Sequence, residues 1–151
     1  MRLGLAGTLR SVVLTTADGR TQRGDQMRYG NQIAGYAEQP GEVVNYVENH
    51  DNQTLWDLNA FKLPIGTPAA QRARVQVLGL AVTALSQGVA YFHAGVDLLR
   101  SKSMDVNSFD SGDWFNRIDW TGQRNFFGSG LPPTESNGAL HDLMAPRLRE
   151  P

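Results

Sequence analysis

The run Asn49-His50-Asp51-Asn52 sets an imidazole beside a carboxylate, with a side-chain amide on either flank. A carboxylate in such a place can stabilise a developing cation or bind a polar ligand, and the imidazole can hydrogen-bond the same ligand. The same residues can also form a turn that caps the segment after them. A second cluster is Asp110-Ser111-Gly112-Asp113-Trp114-Phe115-Asn116-Arg117. Its planar Asp, Asn and Arg groups can make paired hydrogen bonds to vicinal hydroxyls, and its flat rings suit the apolar faces of sugars. That mixture fits a carbohydrate cleft; the alternative is a solvated loop with an Asp–Arg surface pair of small energetic weight. His93 and Asp97 stand four apart, a spacing that metal ligands use, but two ligands do not make a site. Asp97 can simply begin a short helix at Val96-Asp97-Leu98-Leu99, and no metal is assigned. Neither a Gly-rich phosphate loop nor a Gly-x-Ser-x-Gly elbow occurs, so nucleotide and serine-hydrolase chemistry have no footing.

The elements around these residues read as α/β. Val43-Val44-Asn45-Tyr46-Val47 is a short β-branched and aromatic run, a buried strand that ends at the His50–Asp51 cluster. A helix follows, with Thr67 as its N-terminal cap and Pro68 in its first turn. Val75, Leu78, Val82 and Leu85 form one face, which Val77, Leu80, Ala81 and Ala84 widen, so the helix is expected to be packed on much of its circumference. Gly88 stands where a C-terminal cap belongs, and Val89-Ala90-Tyr91-Phe92 reads as a second buried strand. Strand, helix and strand with short links predict a βαβ unit with parallel strands. Functional residues in such folds gather past the C-terminal ends of strands, where the 49–52 run and His93 both fall. Residues 29–42 read as loop, and residues 101–137, irregular but aromatic, as an ordered functional loop region. A last helix is expected from near Asn137 through Leu140, Leu143 and Met144. A two-stranded parallel sheet needs cover on both faces, and little in this chain supplies it, so the chain reads as part of something larger.

Composition excludes some partners. Of 151 residues, 40% are apolar and 19% charged, the formal net charge is -1, and the 14 lysines and arginines are scattered. Nothing draws the chain toward nucleic acid or an anionic membrane. No cysteine is present, which removes disulfide and thiolate chemistry without placing the compartment. Met1-Arg2-Leu3-Gly4 lacks the apolar run of a signal peptide. The uncharged stretch from Val75 to Val96 could span a bilayer by length, but Gln76, Thr83, Gln87, His93 and three glycines fit a buried helix, turn and strand better.

Three segments together resemble a known family. Val43 to Asp57 (VVNYVENHDNQTLWD) is similar to the last conserved catalytic segment of the α-amylase superfamily of glycoside hydrolases, in its pullulanase and limit-dextrinase form. There a His-Asp pair follows barrel strand seven. Gly88 to Lys102 (GVAYFHAGVDLLRSK) resembles strand eight and its following turn, and Ser108 to Asp119 (SFDSGDWFNRID) the sugar-contacting loop beyond. The resemblance runs from about Leu3 to the end of the chain. It implies a partial (β/α)8 TIM barrel, with residues 1–151 as the C-terminal portion of one catalytic barrel and 101–137 as its substrate-contacting loop. It implies hydrolysis of α-1,6 branch links in pullulan, amylopectin or limit dextrins with retention of configuration.

Carried over by position, Asp51 falls on the family's transition-state-stabilising carboxylate and His50 on a histidine contacting the same sugar. Asp113 and Arg117 match an Asp-Arg pair at the neighbouring subsite, and Asn52 and Trp114 are placed by position alone. Retaining hydrolysis needs a nucleophile and an acid/base about 5 Å apart. The family's Asp and Glu segments for those roles do not occur in this sequence, so the chain alone is expected to be inactive. The expected partners are an α-glucan and the rest of the barrel. No cofactor is implied; calcium occurs in some relatives, but no ligand for it can be identified here. Three alternatives stay open: a non-catalytic carbohydrate-binding remnant, an α-1,4-acting amylase relative, and a truncated reading frame with no stable fold.

Overall fold

The computed structural model describes residues 1–149. In chain order its elements are α1 (Arg2–Leu5), β1 (Val13–Thr15), β2 (Thr21–Arg23), β3 (Arg28–Tyr29), β4 (Gln32–Ile33) and β5 (Val44–Asn45). Then come α2 (Leu55–Lys62), α3 (Ala69–Leu85), β6 (Val89–Ala90), α4 (Asp113–Asn116), α5 (Thr134–Asn137) and α6 (His141–Leu148). The fold is α/β with short strands. It divides into two compact units, one of Met1–Tyr46 with Ala81–Tyr91, the other of Val47–Leu80 with the chain from Phe92 onward.

In the first unit β1 and β2 form an antiparallel hairpin, with Val13 opposite Arg23 and Thr15 opposite Thr21. Gly19 takes φ 80° in its turn, a conformation that glycine adopts without steric cost. Residues 29–42 are not all loop. A second, two-residue hairpin pairs β3 with β4, Arg28 opposite Ile33, around Gly30-Asn31. Its strands are too short for an alternation to show in the sequence. Gly24 approaches Leu9 so closely that a Cβ would stand 2.1 Å from the Leu9 carbonyl oxygen.

The parallel pairing expected across the helix is present. β5 pairs with β6, Val44 opposite Val89 and Asn45 opposite Ala90, and the Asn45 side-chain amide donates to the Gln87 carbonyl at 2.7 Å. Each strand is shorter than its apolar run, because with one partner each only two residues complete the ladder.

The second unit holds α2, which the apolar spacing did not single out. Its N-terminal cap is Thr54, whose hydroxyl accepts the Asp57 amide. Pro68 opens α3, its carbonyl accepting the Gln71 and Arg72 amides, while the Thr67 hydroxyl donates to the Pro64 carbonyl. The buried face of α3 is a correction to the sequence reading. Arg72, Gln76 and Thr83 are its buried residues, whereas Val77, Leu78 and Leu85 are 61%, 62% and 84% exposed. Tertiary partners outweigh side-chain polarity here. The Gln76 amide donates to the Val96 carbonyl at 3.0 Å, and the Arg72 guanidinium donates to the Trp56 carbonyl between the Trp56 and Phe127 rings. Gly79 gives room on the same face, since a Cβ there would stand 2.9 Å from Leu55.

The 101–137 region is ordered by buried polar groups rather than by long elements. Asn137 is buried; its side chain accepts the Val106 amide at 2.9 Å and donates to the Asp105 carboxylate at 3.0 Å. The last helix arrives as expected, as α5, one 3-10 turn and α6, with Met144 buried. Among the described residues, no helix is long and apolar enough to cross a membrane.

Candidate active site

Beyond β5 the chain turns sharply. The Asn49 side-chain oxygen accepts the Asp51 amide at 2.8 Å, and Asn52 takes φ 58°, a left-handed conformation that asparagine tolerates better than most residues. The turn holds His50 and Asp51 outward, with His50 Nε2 3.6 Å from Asp51 Oδ1 and side chains 80% and 71% exposed. Both line a cavity of about 150 Å³ with His93, Arg100, Lys102 and Asn116.

Two buried carboxylates support this cavity. Glu48 accepts the Leu55 amide through Oε2 at 2.5 Å and meets His93 Nδ1 through Oε1 at 2.9 Å. A carboxylate on Nδ1 places a proton there. Arg100 Nη1 stands 3.4 Å from His93 Nε2, and Arg100 Nη2 donates to the Asn116 carbonyl at 2.5 Å. Burial lowers the pKa of Arg100, with Glu48 and Asp57 opposing the shift. Asp57 accepts the Ser101 hydroxyl at 2.5 Å and the Lys102 amide at 2.8 Å. Burial pushes its pKa up to about 6 against those hydrogen bonds. Lys102 Nζ donates to the His50 carbonyl at 2.7 Å; burial, then Arg100, lowers its pKa.

Trp114 and Arg117 line a different, larger cleft of about 670 Å³ with Arg124 and Phe126. The Arg117 guanidinium stacks 4.5 Å from the Trp114 ring centre and 3.9 Å from that of Phe126. The Trp114 indole donates to the Ser129 carbonyl at 3.0 Å. No ion pair joins Asp113 to Arg117, because the guanidinium is turned onto the rings. The six residues singled out in the sequence therefore divide. His50 and Asp51 share one cavity, Trp114 and Arg117 share another, and Asn52 and Asp113 line neither. Glu48, Arg100, Lys102 and Asn116 were not singled out individually. Arg100 and Lys102 fall within the LLRSK run, the one local signal for them. Among the described residues, no three His, Asp or Glu side chains converge to hold a metal, and His93 turns to Glu48.

No protein-family model matches the chain. Individual relatives do. A pullulanase of Klebsiella aerogenes is 45% identical over 144 residues, 95% of this chain and 13% of that protein. Pullulanase 1, chloroplastic, of Arabidopsis thaliana is 40% identical over 152 residues, 100% of this chain and 16% of that protein. The solved structure of Klebsiella pneumoniae pullulanase complexed with maltotriose superposes with a TM-score of 0.93 at 44% identity, covering 98% of this chain and 14% of that one. This likeness places the chain among the homologues of glycoside hydrolases. Within them it belongs with the pullulanases, as a homologue of one segment of those much longer proteins.

Proposed function

We propose that this chain serves as the C-terminal portion of a (β/α)8 catalytic barrel that hydrolyses α-1,6-glucosidic branch links with retention. β5 and β6 would be barrel strands seven and eight, and the 101–137 region the substrate-contacting loop. The supporting observation is the close superposition on a pullulanase solved with maltotriose, at 44% identity over 98% of the chain. Asp51 is assigned the role of transition-state stabiliser. A carboxylate gripping sugar hydroxyls strengthens those hydrogen bonds as the ring flattens toward an oxocarbenium ion. His50 would bind the same sugar, with Asn52 beside it, and Trp114, Arg117 and Asp113 would serve a neighbouring sugar.

A nucleophile and an acid/base are both required for retention, and Asp51 cannot fill either role while stabilising the cation. The 151-residue chain by itself therefore binds α-glucan without cleaving it. The test uses the purified chain with pullulan and with maltotriose. No reducing sugar should be released, while maltotriose should shift the NMR signals of His50 and Asp51, and Asp51→Asn should weaken that binding about tenfold. Reducing sugar from the wild-type chain would overturn the inactivity, and no response to maltotriose would overturn the sugar site.

A further inference from the structure

Asp57 and Lys102 are both buried and neither is used by the chemistry proposed above. They are linked in series. Asp57 holds the Ser101 hydroxyl and the Lys102 backbone amide, and the Lys102 side chain reaches Nζ to the His50 carbonyl at 2.7 Å. The Ser101 hydroxyl oxygen also accepts the Ser103 amide at 2.8 Å, and the Ser103 hydroxyl donates to the Gly130 carbonyl at 2.5 Å.

The backbone between these anchors is strained. Leu99, Ser103 and Met104 take φ 58°, 52° and 66°, left-handed values uncommon for any residue with a Cβ, and Met104 is fully buried. Three such residues within six persist only where surrounding groups over-determine the loop, and strain of this kind gathers at functional sites. What the strained loop delivers is one ammonium group to one carbonyl. That carbonyl belongs to His50, the residue before Asp51. Glu48 pins the two ends of the turn by accepting the Leu55 amide of α2, but among the described residues the turn's own hydrogen bonds are the Asn49 to Asp51 contact and the tie from Lys102.

We infer that Lys102, oriented by Asp57, is a positioning residue that fixes the His50–Asp51 turn so that the Asp51 carboxylate meets the sugar. A carboxylate that stabilises a transition state must be held close to its productive position, and a turn with one local hydrogen bond does not hold itself. The inference rests on the assignment of Asp51 given above.

The test compares the full wild-type chain with Lys102→Met, which keeps the length and loses the ammonium, and with Lys102→Arg, which keeps a cation. Backbone relaxation should show His50, Asp51 and Asn52 rigid in the wild type, with order parameters near about 0.85, falling below about 0.6 in K102M. The Ser103 and Met104 amides should keep their protection, and K102R should restore most of the order. Maltotriose binding should weaken about tenfold in K102M and recover in K102R. Lys102→Gln, polar but too short to reach the carbonyl, gives the same reading should K102M not fold. Unchanged order at 50–52 in K102M or K102Q overturns the inference, as does equal loss of protection throughout the chain. If the wild type ignores maltotriose, the assignment of Asp51 fails, while the relaxation comparison still decides whether Lys102 holds the turn.

Discussion

Asp57 is wholly buried with a raised pKa, whereas Asp51 stands open to solvent six residues earlier. The difference has a measurable consequence. With a folded-state pKa of about 6 against an ordinary 3.8, the native chain keeps a proton that the unfolded chain gives up first. The stability owed to that proton is full below about pH 4 and is lost as pH rises through 6, by up to about 3 kcal/mol. Urea unfolding from pH 4 to 7 should show this fall in the wild type and not in Asp57→Asn; parallel curves for the two would refute it. The sequence displayed His50 and Asp51 because adjacent residues of that type announce themselves. It did not display Glu48, Asp57 or Lys102 as a set, since their partners lie 45 to 52 residues away. Arg117 shows the converse. It stands four residues from Asp113 as an ion pair requires, yet rings at Trp114 and Phe126 claim it.

At the scale of the element, α3 inverts the usual rule. Its existence was plain from apolar residues at three-and-four spacing and from Pro68, but its buried face was not, because periodicity reports where apolar residues lie and not what they touch. Gln76 is buried against the Val96 carbonyl, and Val77 beside it is mostly exposed. Gln76→Ala should therefore cost about 2 kcal/mol, through a cavity and an orphaned carbonyl, while Val77→Ala stays within about 0.5 kcal/mol. Denaturant midpoints of the two variants decide the matter; the reverse order would mean that the apolar face is the one that packs. The parallel pairing of β5 with β6 was legible because two apolar runs flanked a helix, although α2 makes the first link longer than the sequence suggested. The β3–β4 hairpin was not, as two-residue strands carry no period.

The whole chain leaves apolar surface uncovered. In the first unit Val44, Tyr46, Val89 and Tyr91, on and just beyond β5 and β6, are all exposed. A parallel pair ordinarily lies buried on both faces, and a contiguous exposed apolar patch marks a place of association. The isolated chain should bind the dye ANS and sediment with a size that grows with concentration. Val44→Thr with Val89→Thr should reduce both, and a dye-silent, concentration-independent monomer would show that this surface is inert.

The ties that hold the candidate site have one more property. Glu48 meets His93, Asp57 meets Lys102 and Lys102 meets His50, each across a loop of more than forty residues. Loops of that length must close before any of these bonds can form, whereas the β1–β2 hairpin closes over a handful of residues. The His50–Asp51 turn can thus be synthesised early and acquire its working shape late, only after the 99–104 segment has arrived and docked. Order of assembly runs opposite to order along the chain.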